Sequence, residues 1–180
     1  MNSPQLIARV PANSAGLTPE ALAELNRVYR PLSFDERIRR LYQDFSADGI
    51  LVTSSFAATS AYFLHIINSI RPQQVIHFID TGFHFQETLN YRDYLADLFK
   101  LKVEDVKPDH HHHQYAINER LWETDPDLCC SVNKVEPLEA VKLDFQIWVS
   151  SLMGWQTDHR AGLDIFEERR GIIKFNPMID

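Results

Sequence analysis

The sequence predicts an α/β protein, a three-layer sandwich whose mainly parallel sheet of five strands is covered by helices on both faces. Three observations predict it. Short β-branched runs alternate with segments of helical periodicity, and each run ends in small polar or turn-forming residues. The 180 residues, 44% hydrophobic and 24% charged, are enough to bury one substantial core.

The elements follow in order. Residues 18–29 (TPEALAELNRVY) open with Thr18 as N-cap, Pro19 at the first helical position and Glu20 in the first turn. Residues 33–45 repeat this logic with Ser33, Asp35 and Glu36, so two N-terminal helices are predicted. Residues 50–52 are an apolar run ending in hydroxyl residues, and helical spacing over 57–70 then stops at Arg71 and Pro72. Residues 75–80 (VIHFID) are a second strand closed by a DTG turn, and 85–99 an amphipathic helix. Residues 101–107 (LKVEDVK) are a third strand, after which 115–122 and 134–143 read as helices. Residues 145–152 (FQIWVSSL) and 171–175 (GIIKF) complete the five strands. With no internal repeat or long linker, a single domain over 1–180 is expected. Its ligand site would lie at the carboxyl ends of the strands.

Composition excludes several function classes. A net charge of −7 argues against broad nucleic-acid binding, which needs a basic surface, but leaves room for a local basic pocket. The first residues (MNSPQLIARVPANSAG) have no basic start followed by a long apolar run, and no stretch is long enough to span a bilayer, so a cytoplasmic location is expected. The only two cysteines, Cys129 and Cys130, are adjacent. Without a secretory context they read as buried packing, a redox device or metal ligands. A disulfide between neighbours would strain the intervening peptide.

The loops at the strand ends hold the candidate site. Thr53, Ser54 and Ser55 place hydroxyls and backbone N–H groups near a helix N-terminus, which suits an anion and equally suits ordinary capping. Asp80, Thr81 and Gly82 form a tight turn in which glycine is free to take positive φ. After the fourth strand, Arg160 can fork onto a phosphate or sulfate, or simply lie solvated. The run His110, His111, His112 and His113 reads as a solvated polar loop, with an adventitious metal ion beside Asp109 as the alternative. Trp122, Trp148 and Trp155 read as core or pocket wall.

In order and spelling these loops resemble the adenosine-phosphosulfate and phosphoadenosine-phosphosulfate reductases of sulfate assimilation. The matching elements are TSSF after the first strand, IDTGFxFxET after the second, DPDLCCxxxKVEPL before the fourth and QTxxRAxL after it. The likeness spans residues 34–180, and the DLCC and KVEPL element is its most specific part. It implies an adenine nucleotide alpha hydrolase-like fold, with residues 1–46 as N-terminal helices and 47–180 as a nucleotide-binding core. It further implies reduction of adenylyl sulfate, or its 3′-phosphorylated form, to sulfite with thioredoxin as electron donor. In complete members a cysteine thiolate attacks the sulfonyl sulfur, and thiol exchange then releases sulfite. Carried onto this sequence, Ser54 and Ser55 cradle the phosphosulfate, and Asp80, Thr81 and Gly82 lie by the adenosine. Lys134 and Arg160 contact the anion. Cys129 and Cys130 mark the branch with a 4Fe–4S cluster and would be two of its four ligands.

Departures from the family pattern carry information as well. Family members continue for several dozen residues past the segment matching 176–180, supplying a second cysteine pair and a C-terminal nucleophile. This chain stops at Asp180, so the expectation is no catalytic nucleophile and half a ligand set. Ala57 and Ser151 stand where glycines are usual, and Met153 and Gly154 where arginines are expected before Gln156. The expected function is therefore a sulfonucleotide reductase that is incomplete or inactive in this chain, with a non-catalytic adenine-nucleotide-binding module as the alternative. The SGGxDS loop of ATP-pyrophosphatases is absent, TSSFAATS standing in its place. A homo-oligomer stays open, since a two-fold axis could bring two cysteine pairs together.

Overall fold

The computed structural model describes residues 17–180, so the expected absence of a leader in residues 1–16, and that part of the 1–46 segment, fall outside the described residues. Helix α1 (Pro19–Tyr29) begins where Thr18 accepts the Ala21 N–H. Helix α2 (Phe34–Asp44) begins where the Glu36 carboxylate accepts both the N–H and the hydroxyl of Ser33 at 2.8 Å.

Six strands form one sheet in the order β3-β2-β1-β4-β6-β5. Strand β1 (Ile50–Thr53) lies between β2 (Val75–Ile79) and β4 (Ile147–Val149), with Val52 beside Ile76 on one flank and Val149 on the other. Strand β3 (Lys102–Val106) continues the parallel array beyond β2, and β6 (Ile172–Phe175) continues it beyond β4. The sixth strand, β5 (Phe166–Arg169), is antiparallel to β6 and was not legible in the sequence. Its FEER spelling is that of a charged edge, and it exists because Arg170 and Gly171, at φ 51° and 83°, make a two-residue hairpin turn.

Helix α3 (Ser60–Ile70) links β1 to β2, and α4 (Gln86–Phe99) links β2 to β3. Both pack on the same face of the sheet as α1 and α2. Leu25, Tyr29, Ile38, Leu41, Phe63 and Leu95 bury there against the inward residues of β1, β2, β4 and β6. The crossover from β3 to β4 lies over the other face, as a reversal of strand order requires. It comprises α5 (His110–Asn118), α6 (Leu121–Thr124), α7 (Pro126–Cys130), a π turn (Ser131–Val135) and α8 (Glu136–Lys142).

Several boundaries differ from expectation for identifiable reasons. Helix α3 starts at Ser60 rather than 57 because Phe56 takes φ 52° and the chain turns, the Ser60 N–H donating to the Ala57 carbonyl at 2.8 Å. The histidine run is no loop. It is the first turn of α5, capped by the Asp109 carboxylate, which accepts from the N–H groups of His111 and His112. Arg120, at φ 49°, then separates α5 from α6 where one helix was expected. Asp125 caps Leu128 N–H and Pro126 opens α7, so the cysteines sit at that helix's end.

Arg37 ties these parts together. Buried in α2, it donates to the carbonyls of Tyr29 (3.1 Å), Arg30 (3.1 Å) and Pro177 (3.0 Å) and forms a two-pronged ion pair with Asp180. Among the described residues no helix is long and apolar enough to cross a membrane.

Candidate functional site

Strand order reverses between β1 and β4, which opens a crevice at the carboxyl edge of the sheet. The loops after β1, β2 and β4 all start at that edge, so topology alone places Ser54, Asp80 and the 150–160 segment on one side of the molecule. Ser54 is buried, and its hydroxyl accepts the Phe56 N–H at 3.0 Å while its own N–H donates to the His77 carbonyl. Ser55 beside it is exposed. Asp80 spends one carboxylate oxygen on the Gly82 N–H at 3.1 Å, and its other oxygen lies 3.9 Å from Lys107 Nζ. The Thr81 hydroxyl accepts the Phe83 N–H.

Two cavities flank the crossover helices. The first, of about 560 Å3, is lined by Thr81, Phe83, Trp122, Cys129, Cys130 and Lys134, with Pro126 and Asn133 completing it. A chain of contacts fixes its shape. Gly82 takes φ 76°, and the His113 ring lies directly over it: a Cβ there would stand 2.6 Å from Cε1. His113 Nδ1–H donates to Asn133 Oδ1 at 2.7 Å, and Asn133 Nδ2 donates to the Cys129 carbonyl at 2.9 Å. Phe83 packs on both His113 and Trp122. The DTG turn is thus braced to the dicysteine turn through one histidine of the run. Both thiols are free, Cys129 half-buried and Cys130 exposed.

The second cavity, of about 410 Å3, opens on the other side of Lys134, which lines both. It is bounded by α8, by β4 and β6, by the β5–β6 turn and by α9 (Asp158–Ala161). The QTxxR motif has a local reason here. Thr157 caps α9 by accepting the Arg160 N–H at 3.2 Å, and Gln156 Oε1 holds the Arg160 guanidinium toward the cavity. On the floor, Lys142 Nζ lies 3.9 Å and Lys174 Nζ 4.7 Å from the centre of the Trp148 ring, whose Nε1–H donates to Thr53 Oγ1. Burial pushes the Lys174 ammonium below its ordinary pKa, and the nearby cations Arg169, Lys142 and Arg160 push the same way against Glu167.

The structure therefore puts Thr81, Lys134, Cys129 and Cys130 in one wall and Lys134 with Arg160 in another. Ser54, Ser55 and Asp80 line neither cavity. Trp122 and Trp148 are pocket wall, whereas Trp155 is 78% exposed and belongs to neither core nor pocket. Asn133, Lys142 and Lys174 carried no motif signal in the sequence, and His113 only that of the histidine run. The only hint was helical spacing, which puts Lys142 two turns beyond Val135.

A cubane iron–sulfur cluster needs about four thiolates. This sequence has two cysteines, and among the described residues no group of three or more His, Cys, Asp or Glu is placed to hold a metal ion. The donor set present does not fit a complete cluster.

The fold and its edge cavities define the class: a doubly wound α/β protein with its ligand crevice at a topological switch point. Residues 49–180 match the phosphoadenosine phosphosulfate reductase domain, and the chain belongs to that family. It is 36% identical over 162 residues to the adenosine 5′-phosphosulfate reductase of Mesorhizobium japonicum, covering 87% of this chain and 62% of that protein. It is 33% identical over 166 residues to the phosphoadenosine 5′-phosphosulfate reductase of Salmonella choleraesuis, covering 89% and 68%. The chain thus spans less than two thirds of the Mesorhizobium protein's length. Its fold superposes on a phosphoadenylyl-sulfate reductase from Candida auris, solved as a phosphate complex, with TM-score 0.75 and 25% identity over 92% of this chain and 82% of that one.

Proposed function

We propose that the chain binds a sulfonucleotide, adenylyl sulfate or its 3′-phosphorylated form, along the carboxyl edge of the sheet, and that these 180 residues do not by themselves complete its reduction. One observation carries the reading: Lys134 stands in the shared wall of the two cavities, with an aromatic, partly apolar chamber on one side and a cationic one on the other. Phe83 and Trp122 offer faces on which a purine can stack, and Lys134 and Arg160 offer charge to a phosphosulfate. The names of the relatives, reductases of both nucleotides, and the phosphate bound to the Candida auris neighbour support the same ligand class.

The chemistry available to this chain is binding and orientation. The family's reaction uses a thiolate that attacks sulfur, and thioredoxin as the donor that releases sulfite. This sequence has no thiol besides Cys129 and Cys130, which form the cavity wall next to Lys134. Calorimetry with adenylyl sulfate and with AMP tests binding, and a thioredoxin-coupled sulfite assay tests turnover. Heat of binding without sulfite is the expected result. Absence of binding to both nucleotides removes the ligand assignment, and sulfite release that Cys129→Ser abolishes removes the claim of inactivity.

A further inference from the structure

The second cavity carries more positive charge than Lys134 and Arg160 account for. Lys142, Lys174, Arg169 and Arg170 line it as well, in a protein of net charge −7. Among the described residues its only lining carboxylate is Glu139, which pairs with Lys142 at 2.8 Å and lies 4.0 Å from Arg170. Arg169 pairs with Glu167 at 3.3 Å. Six cations therefore face two carboxylates. The segment 150–157 after β4 contributes no lysine or arginine, so beyond Lys134 of the π turn and Arg160 of α9 the charge comes from the end of β5 and its turn, from β6 and from α8.

Lys174 is the unusual member. It is 8% exposed, sits in the middle of β6, and among the described residues its ammonium has no hydrogen-bond acceptor or ion-pair partner, only the Trp148 ring face. Its stem is buried in the sheet while its ammonium borders the cavity with no counter-charge paired to it, an arrangement that an arriving anion would stabilise. The cavity into which it faces is open and large enough for two linked tetrahedral oxyanions.

We infer that Lys174 and Lys142, aligned on the Trp148 indole, form the floor of an oxyanion subsite, with Arg160, Arg169 and Arg170 as its walls, for a phosphate or sulfate group bearing two or more negative charges. The inference rests on the reading that Lys134 and Arg160 meet the ligand's anion, and it adds the residues that receive the charge. An anion bound there would favour the protonated Lys174, opposing the effect of burial.

Calorimetry on the whole chain, with inorganic pyrophosphate in one arm and adenylyl sulfate in the other, tests it. Lys174→Met and Lys142→Met should each weaken pyrophosphate binding by about tenfold or more, while Lys100→Met, at the C-terminal cap of α4 on the other face of the sheet, changes it by less than about twofold. No pyrophosphate binding, or Lys174→Met indistinguishable from the parent, overturns the subsite. The arms separate the two ideas. Pyrophosphate binding that depends on Lys174, with no binding of adenylyl sulfate, keeps the subsite and removes the nucleotide. Adenylyl sulfate binding that needs Lys134 and is indifferent to Lys174 does the reverse. If Lys174→Met does not fold, acylation of Lys174 in the unmodified chain, followed by mass spectrometry, replaces it. Pyrophosphate should slow that labelling about fivefold or more, since the protonated amine is unreactive, and equal rates overturn the proposal.

Discussion

Replacing Gly82 by alanine perturbs the turn that connects the strand edge to the dicysteine segment, and its cost can be worked from the structure. At φ 76° an L side chain is strained by about 1–2 kcal/mol. The new Cβ would also stand 2.6 Å from the His113 ring, so the ring must leave. Its departure breaks the 2.7 Å bond to Asn133 Oδ1, and Asn133 is buried. An orphaned buried acceptor costs about 1–3 kcal/mol. The sum is about 3 kcal/mol, which lowers Tm by about 6–12 °C for a domain of this size. Gly171→Ala supplies the control, because φ there is 83° but nothing lies within 4 Å of the added carbon. It should cost only the backbone strain, about 1–2 kcal/mol. Urea unfolding followed by circular dichroism measures both. Equal costs for the two variants would refute the role given to His113.

Arg37→Met removes the donor to the carbonyls of Arg30 and Pro177, one of the two donors to that of Tyr29, and the partner of Asp180, and should lower stability by about 3 kcal/mol at unchanged m-value; a loss under about 1 kcal/mol would show that α2 is held by its apolar face alone. Lys134→Ala and Arg160→Ala should each weaken adenylyl sulfate binding by about 1.5–3 kcal/mol, and unchanged affinity in both would reject the anion assignment. Reconstitution with iron and sulfide should leave far fewer than about four irons per chain, as two thiolates are half the number a cubane takes; a full complement would restore the cluster. Burial depresses the pKa of His77, so its neutral form is favoured in the folded state. Stability should therefore be full above the ordinary histidine value and fall as pH drops through about 6.5, and His77→Gln should flatten that part of the profile; an unchanged slope would refute it.

The sequence by itself determined the α/β class, five of the six strands and the capped N-terminal helices, because these depend on local periodicity and on caps such as Thr18 and Ser33. It also determined the family, through residues spelled out consecutively in the strand-end loops. Only the tertiary structure decided the rest. Strand β5 has little apolar content of its own and is a strand only because β6 pairs with it. The histidine run looked like a polar loop because its meaning depends on Gly82 and Asn133, 31 and 20 positions from His113 along the chain and in contact with it in space. Lys142 and Lys174 read as a surface lysine and a strand residue, and they meet over Trp148 because the crossover from β3 lays α8 across the sheet face where β4 and β6 are neighbours. Periodicity and caps act within a few residues. Charge gathered from elements far apart in the chain is set by how those elements pack.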